Sequence, residues 1–184
     1  MLATMKGKRK VKRPGQTTAS GHPIPEFVRR LGVGLGMDFY AGNAAGIGRH
    51  LRSLDLDAVR VKGAWADFSL HLLPEDLELL MDSVCALLER ERVSFVDCLE
   101  TKLTGDGRDS AAWRVSDEGV SALAAFPRRR LRLLANTRLK QGARIRGSEP
   151  DRATSDCIKT LWDLLSLCRR AARRKMDVVY FWYL

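Results

Sequence analysis

LPEDLELLMDSVCALLERERVSFVDCLETKLTGDGRDSAAWRVSDEGVSALAAF, residues 73–126, is the stretch from which the fold is read. Pro74 followed by Glu75, Asp76 and Glu78 is a helix start. Proline loses nothing in a first turn, where its missing N–H has no partner, and acids suit the positive end of the helix dipole. Leu77, Leu80, Met81, Val84, Leu87 and Leu88 then recur at steps of three and four, which makes one face of a helix apolar. Downstream the period changes. Val93, Phe95, Val96 and Cys98 predict a strand, Gly105-Asp106-Gly107 a turn, and Ala111–Ser116 the returning strand. Ser116-Asp117-Glu118 opens a short helix with Val120, Leu123, Ala124 and Phe126 inward, and Pro127 ends it.

Helix, hairpin and helix form a compact unit. Within it, Trp113-Arg114-Val115-Ser116-Asp117-Glu118-Gly119, followed by Ala122-Leu123, resembles the aromatic-x-hydrophobic-Thr/Ser-x-Glu-Gly pattern after the wing of several bacterial winged-helix regulators. That resemblance covers about twelve of the 184 residues and implies a winged helix. No helix-turn-helix with a polar recognition face precedes it, and Leu77–Leu88 is too apolar to lie exposed in a major groove.

Charge is distributed unevenly around this unit. Residues 1–20 carry six basic and no acidic side chains, residues 21–125 carry 11 basic and 17 acidic, and residues 126–184 carry 15 basic and 5 acidic. Solubility alone does not require such segregation. It points to a polyanionic partner facing the N-terminal tail and the C-terminal third. The tail, with Lys8, Arg9, Lys10, Lys12 and Arg13, has almost no apolar content and is expected to be a disordered arm.

Glu26–Leu35 is expected to be a short helix that ends at Gly32, Gly34 and Gly36. Because these glycines follow a helix rather than a strand, they read as a helix end and not as a dinucleotide fingerprint. Gly42–Leu54 is expected to be a helix with Ala45, Ile47, Leu51 and Leu54 inward. Ala58–Lys62 and Ala64–Leu72 alternate as a hairpin would.

Beyond Pro127, Arg128, Arg129, Arg130 and Arg132 flank Leu131 in a helix that runs through Leu134, Ala135 and Leu139 and ends before Gly142. Arg138 and Lys140 are expected on its outside. Residues 143–150 are expected to be a loop containing Arg144 and Arg146. Thr154 or Ser155 would cap a long helix near Asp156–Lys175, with Ile158, Leu161, Leu164, Leu165 and Cys168 on its core face. Its end carries Arg169, Arg170, Arg173, Arg174 and Lys175. The four arginines span a sector of roughly 140°, so all of them can face one surface. Val178–Leu184, rich in β-branched and aromatic residues, is expected to complete a sheet, with a contact between copies of the chain as the alternative.

The expected architecture is therefore α+β. One domain covers residues 21–184, in which two antiparallel hairpins pack with about five helices. No run of 18 apolar residues predicts a membrane span. Four scattered cysteines without a CxxC fit free thiols in a reducing, intracellular compartment. Glu100-Thr101-Lys102 resembles the ExK of restriction-endonuclease-like nucleases, which pair it with an upstream aspartate around a divalent cation. Asp82, the nearest candidate, falls on the predicted helix, and a cross-strand ion pair accounts for the tripeptide as well. The leading expectation is a non-enzymatic nucleic-acid-binding protein, DNA or RNA, with no cofactor and no metal. Its phosphate contacts would come from the arm and from Arg128, Arg129, Arg130, Arg132, Arg138, Lys140, Arg144, Arg146, Arg169, Arg170, Arg173, Arg174 and Lys175. An assembly subunit that pairs acidic and basic faces, including those of a second copy, is the alternative.

Overall fold

The computed structural model describes residues 36–68, 74–105 and 110–183. The basic arm, the helix expected at Glu26–Leu35 and the turn tip at Asp106-Gly107 lie outside them. The described elements run β1 (Gly36–Gly42), α1 (Ala44–Arg52), α2 (Leu56–Val59), β2 (Trp65–Asp67), α3 (Pro74–Leu87), β3 (Leu99–Thr104), β4 (Ser110–Val115) and α4 (Asp117–Ala125). They continue with a 3-10 turn (Arg128–Arg130), α5 (Leu131–Arg146), α6 (Ser155–Arg174) and β5 (Asp177–Tyr183). The fold is α+β: the five strands form one antiparallel sheet in the order β2-β1-β5-β4-β3.

The last strand lies at the centre. β5 pairs with β1 from Gly36↔Tyr183 to Gly42↔Asp177, and with β4 from Ser110↔Tyr183 to Val115↔Val178. Both of its faces are covered, which is why Val178–Trp182 is an unbroken apolar run rather than an alternation. Val178, Tyr180 and Trp182 join Met37, Phe39, Ala111 and Val115 on one face, under Leu80, Met81 and Val84 of α3, Leu123 of α4 and Leu161, Leu164, Leu165 and Cys168 of α6. Val179 and Phe181 join Tyr40 and Ala112 on the other face, under Ala44, Ile47 and Leu51 of α1 and Val59 of α2. β5 expected as part of a sheet is confirmed; β1 was not expected from sequence at all.

Other expectations need correction. Only the β3–β4 hairpin forms. Ala58–Lys62 does not pair as a strand, because Asp55 Oδ1 accepts the Ala58 N–H and starts the one-turn helix α2, which sends Val59 inward. Trp65–Asp67 pairs with β1 instead. Val93–Cys98 is loop and turn. The Glu78 carboxylate takes the backbone N–H groups of Phe95 (3.1 Å) and Val96 (2.8 Å) and the Ser94 hydroxyl (2.8 Å), groups that a ladder would otherwise use. In α1, Ala44 is buried while Ala45 is exposed, and Leu54 lies past the helix end with 66% of its surface exposed. α5 passes through Gly142 and stops at Gly147, whose φ of 66° is the left-handed conformation of a helix terminator. Arg144 and Arg146 therefore sit on a helix, not in a loop.

The other helix ends follow the sequence signals. Ser116 Oγ accepts the Gly119 N–H and caps α4, and Thr154 Oγ1 accepts the Cys157 N–H and caps α6. The β3–β4 hairpin is not a free wing, since β4 is bonded along its length to β5. The motif from Trp113 to Gly119 is a sheet strand running into a capped helix.

Candidate nucleic-acid interface

The basic third of the chain folds into the antiparallel pair α5–α6. Asn136 Oδ1 accepts the Ala153 N–H, Arg138 reaches Cys157, and Arg128, just before α5, lies over Trp162 of α6. The 3-10 turn lies beside the middle of α6: the Arg128 and Arg169 guanidinium carbons lie 4.6 and 5.0 Å from the same Trp162 ring centroid. Guanidinium groups over an indole face are held by its quadrupole.

Within this frame the expected contact residues divide into two sets. Arg128, Arg129, Arg132, Lys140, Arg144, Arg146, Arg173, Arg174 and Lys175 are exposed, and Arg130 is half-buried. None of these ten has an ion pair with a carboxylate among the described residues. Lys8, Arg9, Lys10, Lys12 and Arg13 lie outside the described residues.

Three arginines have other roles. Arg138, expected outside, is 3% exposed; it donates to Asp76 of α3 at 3.3 Å and to Cys157 Sγ at 3.6 Å, a buried bridge between three helices. Arg169 donates to the backbone oxygens of Ala124 (3.0 Å) and Phe126, satisfying carbonyls at the end of α4. Burial lowers its pKa, and nearby Arg173 lowers it further. Arg170 turns the other way, onto the loop before β2, where a Cβ added at Gly63 would stand 2.4 Å from its Nη1. The four arginines at the end of α6 therefore do not share one surface. Arg169 and Arg170 pack on opposite flanks, and only Arg173 and Arg174 stand out in the last turn, where the helix dipole also favours cations.

The ExK tripeptide lies on β3 as expected, but its chemistry is occupied. Glu100 pairs with Arg114 of the neighbouring strand, and Asp82 stands in α3 with Arg92 at 2.6 Å. Among the described residues no three His, Cys, Asp or Glu side chains are grouped to hold a metal ion. Arg114 is a hub that also donates to Asp177 of β5 at 2.9 Å and to Asp117 of α4 at 3.1 Å. These bonds hold its guanidinium above the usual arginine range and, with the Ala44 N–H at 2.9 Å, hold the Asp177 carboxyl below the usual carboxylate range.

A second polar cluster was not read from the sequence. Asp38, fully buried on β1, accepts from Tyr40 Oη (2.8 Å), Arg60 Nη2 (2.9 Å) and Trp65 Nε1 (2.9 Å), while Arg60 also donates to Tyr183 Oη at 2.9 Å. Desolvation and the Asp38 charge raise the Tyr40 pKa. The available signal was a carboxylate enclosed by Met37, Phe39, Tyr40 and Ala41, a place no strand leaves unpaired. The cluster ties α2 and β2 to the sheet. Comparisons with protein-family models, with curated proteins and with solved structures find no match to this chain.

Proposed function

We propose that this protein is a non-enzymatic nucleic-acid-binding protein that grips phosphates through the α5–α6 layer. One contrast carries the reading. Arg60, Arg92 and Arg114, outside the C-terminal third, are each paired with a carboxylate, whereas ten cations concentrated in the C-terminal third have no carboxylate partner among the described residues. Like charges held together on a folded surface repel one another, and a polyanion relieves that repulsion with release of its counterions. The N-terminal arm would add contacts of the same kind. Four free thiols suit a reducing, intracellular setting, which belongs to this reading. Among the described residues no helix is long and apolar enough to cross a membrane.

A titration of labelled duplex DNA, duplex RNA and single strands with nuclease-treated protein tests the proposal. Binding that weakens steeply as salt rises supports it; no binding to any of the three at low salt refutes it. A second reading, association of copies through opposite charges, rests on the excess of acids in residues 21–125, 17 against 11 basic side chains, opposite the basic C-terminal third. A salt-sensitive dimer of the nucleic-acid-free protein in sedimentation would support that reading instead.

A further inference from the structure

Resting on the nucleic-acid reading, we propose a narrower one: the partner is duplex DNA, and α5 is the element that lies in its major groove. The 16-residue helix buries Leu131, Leu134, Ala135, Arg138, Gly142 and Ala143 against the body. At about 100° per residue, Leu133, Thr137, Lys140 and Arg144 then form one outward ridge at i, i+4, i+7 and i+11. Leu133, Lys140 and Arg144 are exposed and Thr137 is half-exposed. Residues 131–146 contain no acid, so nothing on α5 itself neutralises this ridge. A solvated helix face ordinarily mixes both signs.

The ridge also contains an anomaly that charge does not explain. Leu133 is 47% exposed and is one of only four exposed large apolar residues among the described positions. A leucine and a threonine one turn apart, with Lys140, Arg144 and the neighbouring Arg132 around them, match the two tasks of groove binding. The cations reach phosphates, and the short apolar and hydroxyl groups meet base edges, including the thymine methyl. An α-helix with its side chains is about 10–12 Å across, and the major groove of B-form DNA is about 12 Å wide. The deep, narrow major groove of A-form RNA does not admit it. Stacking on single strands requires free aromatic faces, and the aromatic of this layer, Trp162, is held under Arg128 and Arg169.

The test measures affinity and salt slope for a duplex DNA, the duplex RNA of the same sequence and the single DNA strand. It uses the full chain, Lys140→Ala/Arg144→Ala and, as a comparison on α6, Arg173→Ala/Arg174→Ala. All three proteins should share one thermal midpoint, because the replaced side chains are exposed. The inference expects duplex DNA to be preferred and the α5 double variant to flatten its salt slope by about two units, close to 0.9 per lost phosphate contact. Leu133→Ala should narrow the preference among DNA sequences without changing the slope. If duplex RNA or the single strand binds as well as duplex DNA, or if the α5 variant keeps the parental slope while the α6 variant loses it, the inference fails and the nucleic-acid reading stands. If the parent binds none of the three, the broader reading fails with it.

Discussion

Among the described residues, Asp38 and Arg138 are the two charged side chains that the fold places deepest, at 0% and 3% exposure. Each joins segments far apart in sequence: Asp38 holds Arg60 and Trp65 to β1, and Arg138 holds α3 and α6 to α5. A buried pair adds little net stability over apolar packing, but removing one partner leaves the other stranded. Asp38→Ala would orphan the Trp65 N–H and remove the carboxylate acceptor of the Tyr40 hydroxyl, while Arg60, with 31% of its side chain exposed, can turn partly to water. The expected loss is about 3 kcal/mol, the low end for breaking a buried pair. Urea denaturation checks this, and a loss under 1 kcal/mol would show the network to be dispensable. Asp177 supplies the pH dependence. Its folded pKa lies below the ordinary carboxylate value, chiefly through the Arg114 hydrogen bond and then the Ala44 N–H. Its stabilisation is therefore full above the unfolded value of about 3.9 and is lost as the pH falls through the folded value. Thermal midpoints measured down the acid limb should decline less steeply in Asp177→Asn than in the parent.

Among the elements, β5 is the middle of the sheet. Strand pairing on both sides and burial on both faces make residues 177–183 the structural centre although they come last. A chain cut after Met176 should lose cooperative folding, with a collapsed dispersion of amide resonances; a well-dispersed spectrum would contradict the topology. How far elements were legible depends on how locally they are specified. α3, α4 and α6 carry their start signals and apolar periods within or immediately before their own residues, and β5 carries its apolar run. β1 was missed because both faces are buried, so Met37–Ala41 shows no alternation, and its partners lie far along the chain. The segment 93–98 was misread because a carboxylate some 16 residues upstream, Glu78, takes its N–H groups. At the candidate site, the exposed cations on α5 and the end of α6 were legible from composition. The inward turn of Arg138 was not: Asp76 of α3 and Cys157 of α6 draw it in, and position 138 alone does not reveal them.

Over the whole molecule, charge and fold tell a consistent story. The acidic middle spends many of its carboxylates internally, as with Asp38, Glu78, Asp82 and Glu100, while the C-terminal third leaves most of its arginines facing outward. The positive charge is concentrated in the C-terminal third, whose residues 126–184 carry 15 basic and 5 acidic side chains. A polyanion that meets the α5–α6 layer would gain from each cation without disturbing the core, because the buried arginines are not the ones it touches. The most direct measurement is the dependence of log K on log salt for a short DNA duplex, with parent and Arg173→Ala/Arg174→Ala side by side. The account predicts a steep negative slope for the parent and a slope shallower by up to about two units for the variant, at equal thermal stability. Equal affinity and equal slope in the two proteins, or a parent whose affinity does not respond to salt, would contradict it.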